Sequence, residues 1–267
     1  MPAPSVAAAV CVEFALILGG LILLWRLVFD PAAPRSPPQL TAWTIPTTEF
    51  VRFLLAVVCC TLVASTVGEL LLKLRPLAGP PKIIFLTGCS QAGMLAGIAI
   101  FKLTIERLTL SGAGLRASDF VSGAVTFLIS LPIMVIISLP WRGLLKLCGF
   151  DLGKQDLVDM FANARSPLLL TVMIVLATVT APLVEELVFR AGFFRYFRTR
   201  VPRWAALLGP ACLFGALHQN LASFAPLVGL GIVFSLAYER TGRIGTAIVA
   251  HSLFNLYAVA QVFAGIS

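Results

Sequence analysis

Residues 181–190 read APLVEELVFR. Two adjacent carboxylates, Glu185 and Glu186, and an arginine, Arg190, close a long apolar run that begins near Pro167. A membrane-spanning helix needs about 20 mainly apolar residues, and this run supplies them. Ionisable side chains are costly inside such a helix and persist where they face the bundle interior and serve a function. This stretch therefore sets the fold class and marks where chemistry is to be sought.

The composition agrees. Of 267 residues, 59% are hydrophobic and 12% charged, with a mean hydropathy of +0.97. A soluble domain is nearer one quarter charged. The 28.5 kDa mass leaves little room for a separate soluble domain. The net charge of +8 fits lysines and arginines in loops facing an anionic membrane surface, and argues against a nucleic-acid partner. The six cysteines (Cys11, Cys59, Cys60, Cys89, Cys148, Cys212) form no CxxC pair and read as small packing residues. No basic segment precedes the first apolar stretch, so the first helix is expected to stay rather than be cleaved as a signal peptide.

Apolar segments near 5–29, 51–71, 83–104, 119–140, 167–190, 204–222, 221–238 and 244–266 give about eight spans, the sixth and seventh nearly continuous. Breakers separate them: DPAAPRSPPQ at 30–39, RPLAGPPK at 75–82 and RTRVPR at 198–203. The expected fold is an all-α polytopic transmembrane helical bundle with an intramembrane polar cavity. Residues 1–160 would hold about four spans and 161–267 the catalytic half. With the N-terminus outside, the inside loops carry most of the 20 basic residues: Arg26, Arg35 and Arg52; Lys102, Arg107 and Arg116; Arg190, Arg195, Arg198, Arg200 and Arg203; Arg240 and Arg243. That bias places 195–203 in the cytosol and both termini outside. The compact, Ala/Gly/Pro-rich chain points to a bacterial cell (inner) membrane.

Helical spacing organises the polar residues inside the spans. Glu186 and Arg190 are four apart and share a face, while Glu185 is offset by about 100°. Phe214 and His218 in FGALH are four apart, as are His251 and Asn255 in HSLFN; these are the chain's two histidines. Glu185 lies 15 residues before Arg200, and His218 15 residues after Arg203. An antiparallel pair joined there sets both about 22 Å from the turn. His251, eight residues past Arg243, is about 12 Å into its helix. With the charged helix end protruding, all three are expected at one depth, in a cavity open to the Arg-rich side.

A glutamate and a histidine facing one water suit hydrolysis. The carboxylate can act as general base, the imidazole can share the water or protonate the leaving amine, and His251 with the Asn255 amide can donate to a developing oxyanion. The sequence has no Ser/His/Asp arrangement, no GxSxG and no HExxH, and the GCS at 88–90 is too short to use. Every Asp lies in or beside a loop, which disfavours a paired-aspartate site. Glu185, His218 and His251 also offer a His₂Glu set that zinc can use.

EELVFR, FGALH and HSLFN, in that order, resemble the EExxxR, FxxxH and HxxxN motifs of the CAAX protease and bacteriocin-processing family of intramembrane endopeptidases, over roughly 165–262. The resemblance implies that Glu185 activates the water with help from His218, that Glu186 and Arg190 brace the site, that His251 and Asn255 form the oxyanion hole, and that Phe214 packs beside the water-binding group. It implies a peptide, lipopeptide or membrane-protein substrate and requires no cofactor, with zinc as an alternative. A non-proteolytic scaffold or chaperone of the same fold is the competing reading. A proton-coupled transporter using Glu13, Glu69 and Glu185 would need matching halves, which the sequence lacks; Glu13 and Glu69 are expected to pack between helices.

Overall fold

Each helix starts and stops where the sequence supplies punctuation. The computed structural model describes residues 4–30, 37–104, 114–150, 160–161 and 166–265. Among these it forms eight helices and no strand: α1 (Pro4–Phe29), α2 (Thr47–Leu74), α3 (Pro80–Thr104), α4 (Ala117–Leu147), α5 (Pro167–Phe197), α6 (Arg203–Leu217), α7 (Leu221–Thr241) and α8 (Ile244–Ala264). Pro46 precedes α2, and Ser166 caps α5 ahead of Pro167 by accepting from Leu169 N. Asn220 caps α7 by accepting from Ser223 N at 2.9 Å. Gly242, at φ +65°, ends α7 in the left-handed conformation that glycine adopts without strain. Arg35, Arg107 and most of 151–165, where the sequence puts the boundary between the two halves, lie outside the described residues.

Seven of the eight helices are long and apolar enough to cross a membrane. The exception is α6, whose 15 residues fall short of the usual span. The near-continuous sixth and seventh segments are two separate helices. The chain turns back at His218–Asn220, with Gln219 at φ +51°, and α6 packs against α7 as a hairpin. Trp141 on α4 donates to Leu221 O at 2.8 Å and holds that turn in place.

Two groups of helices are visible. α2 and α3 pack tightly on each other because Gly93 and Gly97, one turn apart, let the backbones touch: a Cβ at either would lie 2.6 Å from Cys60 O or Ala56 O. α4 packs against α1, α7 and α8. α5 lies between α3, α6 and α8, and it is irregular. Pro182 has no N–H to donate back into the preceding turn, and that turn, Leu176–Thr180, is π-helical, as is Leu187–Phe194. Such widened turns concentrate at functional sites.

The basic end of the bundle is tied together rather than left free. Glu239 at the end of α7, buried, pairs with Arg198 and with Arg203 at 2.6 Å. Asp119, fully buried, pairs with Arg243 at 2.6 Å and joins α4 to α8. That hydrogen bond holds the Arg243 guanidinium above its usual value. The segment 39–47 crosses the same end: Arg195 donates to Thr41, Arg200 donates to the carbonyls of Trp43 and Ile45, and Trp43 is buried edge-on against Phe50, Phe53 and Tyr196. Several arginines that the orientation reading counts as loop charges therefore serve tertiary contacts. Arg190 is the clearest correction, since it lies inside α5 and is 1% exposed.

Candidate active site

The centre of α5 presents Glu185, Glu186 and Arg190 to the bundle interior. Glu186 is 0% exposed, and its Oε1 lies 2.9 Å from Arg190 Nη1 and 2.8 Å from His251 Nδ1. The Glu186–Arg190 contact is close but off the hydrogen-bond direction. Glu186 Oε2 and both terminal nitrogens of Arg190 have no hydrogen-bond partner among the described residues. Buried polar atoms of this kind are where interior water is found. The guanidinium is sandwiched by aromatic faces, 4.5 Å from the Phe214 centroid and 5.5 Å from that of Phe234, an arrangement that favours a desolvated cation.

Three further helices complete the cluster. α8 supplies His251, 3% exposed, with Nε2 directed at Glu185 Oε2, 3.7 Å away. Glu185 keeps 23% of its side chain exposed. One turn beyond His251, Asn255 donates from Nδ2 to Ala177 O at 2.8 Å. The accepting carbonyl belongs to the π-helical turn of α5, whose irregular ladder leaves it available, so α8 is clamped to α5 at the level of the site. α6 supplies Phe214, whose ring lies 4.8 Å from that of His218 and 6.0 Å from that of His251. α3 approaches from another side, where Thr180 and Gln91 hydrogen-bond.

The structure thus joins Glu185, Glu186, Arg190, Phe214, His251 and Asn255 in one cluster, with His218 beside it against Phe214. His218 ends α6 and is exposed, and its Nδ1 lies 2.8 Å from Phe214 O. Among the described residues it makes no ion pair with either glutamate, and it reaches the cluster through the Phe214 ring, which packs against both histidines. α6 is short: the chain turns as soon as His218 is reached, and the imidazole bonds back into its own last turn. No group of three His, Cys, Asp or Glu able to hold a metal ion occurs among the described residues.

Glu13 and Glu69 stand apart from the cluster. Glu13 accepts from Tyr257 and from Gln261, each at 3.1 Å, and joins α1 to α8. Glu69 lies 3.7 Å from Lys82, near the α2–α3 turn. Sequence reasoning missed Phe234 and Gly231 on α7. Phe234 packs 5.3 Å from His251, and a Cβ at Gly231 would meet Ala211 at 3.0 Å and Arg190 Nη2 at 3.4 Å. Their three-residue spacing was a usable signal only once α7 was known to face Arg190.

Residues 167–257 match the family model described as Type II CAAX prenyl endopeptidase Rce1-like. The chain is 30% identical over 87 residues to YdiL of Bacillus subtilis, provisionally named a membrane peptidase, covering 33% of this chain and 36% of that protein. It is 31% identical over 83 residues to the UPF0177 protein YbdI of Lactococcus lactis, covering 31% and 44%. It is 33% identical over 94 residues to the membrane-embedded CAAX protease MroQ of Staphylococcus aureus, covering 33% and 38%. The match spans less than half the length of each of these relatives. No solved structure matches the chain. With seven apolar helices and membrane-protein relatives, the chain is a multi-pass membrane protein.

Proposed function

We propose, on the premise that residues 167–257 make this chain a member of the CAAX protease and bacteriocin-processing family, that it is an intramembrane endopeptidase in which Glu185 activates the water that cleaves a peptide bond. The supporting observation is the contrast between the two glutamates. Glu186 is sealed against Arg190 and His251, whereas Glu185, beside it, stays 23% exposed. A base must reach both water and substrate, and a brace must not move. Glu186 and Arg190 then hold the site. The family pattern gives His218 to the water, and His251 with Asn255 to the oxyanion.

The substrate is a peptide, lipopeptide or membrane-protein segment that meets the site inside the bilayer. No metal or other cofactor is required by this scheme. The cluster of arginines at 195–203 supports a cytosolic position for that end, in the cell (inner) membrane.

The test is cleavage of a mixed peptide and lipopeptide library by purified protein, comparing wild type with Glu185→Gln and His218→Ala, with and without chelator. Among the described residues the Glu185 side chain has no partner closer than 3.7 Å, so Glu185→Gln is expected to melt as wild type does and to lose cleavage by about 10³-fold or more. Retained cleavage in that variant removes Glu185 from the chemistry. Loss on chelation with recovery on adding zinc replaces the metal-free scheme.

A further inference from the structure

One ring contact fixes the depth of the site. Phe189 on α5 and Phe214 on α6 meet edge to face, with centroids 5.2 Å apart. α5 and α6 run antiparallel, joined by the arginine-rich turn. Glu185 lies one helical turn before Phe189, and His218 one turn after Phe214. Both therefore sit one turn beyond the ring contact, on the side away from the arginines at 195–203.

That side is close to a membrane boundary. α7 is flanked by Asn220 and Glu239, which are about 28 Å apart along the helix, against a hydrocarbon thickness of about 30 Å. Glu239, paired with Arg203 at 2.6 Å, marks one boundary, so the His218–Asn220 turn marks the other. His218 and Gln219 are exposed there. Trp141, a residue type enriched at membrane interfaces, donates to Leu221 O at the same level, and the next residue, Arg142, is charged.

The two directions out of the site differ. Toward the arginines, every residue of α5 from Val188 to Tyr196 is buried except Phe193, which is half-buried. The facing residues of α6 (Ala206, Ala211, Phe214) and α7 (Leu230, Phe234, Tyr238) are at most 3% exposed. Trp43 closes this end over Phe50, Phe53 and Tyr196. In the other direction Glu185 keeps 23% of its side chain exposed. Thr180, Asn255 and Gln91, which hydrogen-bonds with Thr180, are half-buried, and the exposed His218 and Gln219 follow.

We infer that the site opens at the end of the bundle formed by the α6–α7 turn and is sealed from the arginine-rich end. This rests on the endopeptidase reading and reverses the opening toward the arginines expected from charge alone. It also sets where a substrate is cut. The fitting substrate is a peptide anchored in the leaflet at the turn end, with its scissile bond about one helical turn inside the hydrocarbon. A helix that ends at that depth has unpaired backbone groups in its last turn, so its carbonyls can be presented to Glu185 without unwinding a turn deeper in the bilayer.

The test applies an impermeant cationic methanethiosulfonate to bacterial spheroplasts and to inverted membrane vesicles carrying Glu185→Cys, Gln219→Cys or Val201→Cys. Modification is read peptide by peptide in a mass spectrometer, so the native cysteines can stay. Gln219 reports the turn end and Val201, 37% exposed, the arginine end; the preparation that modifies one protects the other. Glu185→Cys is expected to follow Gln219→Cys, modified in one preparation and protected in the other. Modification that follows Val201→Cys overturns the inference, and so does a Glu185→Cys that reacts in neither. A second arm reads turnover against equally treated wild type. A poly(ethylene glycol) maleimide on Gln219→Cys should abolish cleavage of the lipopeptide library, while the same polymer on Val201→Cys should leave it unchanged. The opposite pattern overturns the inference, and this arm decides if Glu185→Cys does not fold. A wild type that cleaves nothing while Glu185→Cys follows Gln219→Cys sinks the protease reading and leaves the opening in place. A cleaving wild type with the Val201 pattern does the reverse.

Discussion

Arg190→Met is the most informative stability variant, because it removes a cation from a site where nothing else replaces it. Arg190 and Glu186 are 2% and 0% exposed at their side chains, so solvent screening offers no relief. Breaking a buried pair from one side costs about 3–5 kcal/mol. The structure points to the lower half of that range. Among the described residues the Arg190 terminal nitrogens have no hydrogen-bond partner, so no such protein bond is lost, and the methionine sulfur recovers part of the aromatic contact, about 0.3–1.5 kcal/mol, between Phe214 and Phe234. A loss of about 3–4 kcal/mol is expected, or roughly 6–16 °C in melting temperature on the scale of a chain this size. The double variant Glu186→Gln with Arg190→Met removes both charges and should return to within about 1 kcal/mol of wild type, since neutral replacement of a buried pair is tolerated. The assay is thermal unfolding in nanodiscs for the wild type, both singles and the double. An Arg190→Met protein as stable as wild type, or a double whose loss equals the sum of the singles, would refute the reasoning.

Gly93→Val should push α2 from α3, because even a Cβ there lies 2.6 Å from Cys60 O. Overpacking of this kind costs about 1–3 kcal/mol or more, read as a lowered melting temperature. Gly88→Ala on the same helix, where the nearest atom is 3.9 Å away, should leave melting within about 1 kcal/mol of wild type. Asp119→Asn leaves Arg243, 15% exposed, without its anion and is expected to cost about 3 kcal/mol in the same assay. Arg200→Ala frees the carbonyls of Trp43 and Ile45. With Trp25, Trp141 and Trp204 replaced by Phe, the fluorescence of Trp43 should become open to an aqueous quencher while the melting point moves little.

The sequence by itself determined the all-α membrane architecture and the two halves of the polar cluster that are local in the chain. Spans follow from runs of apolar residues, a one-dimensional property, and Glu186–Arg190 and His251–Asn255 follow from four-residue spacing on a helix. The tertiary structure alone decided which of these meet. Whether His251 faces Glu185 or Glu186 depends on how α8 is rotated against α5. That rotation is set by contacts no local pattern encodes: Asn255 on a carbonyl freed by the π-helical turn, Asp119 on Arg243 at the head of α8, and Tyr257 and Gln261 on Glu13. His218 shows the limit most clearly. Counting residues from the loop gave its distance along the chain, but the turn at Gln219 and the Phe214 carbonyl fix where its ring points. Residue spacing reports a face and a depth; direction between helices comes from packing, because side chains on different helices share no periodicity.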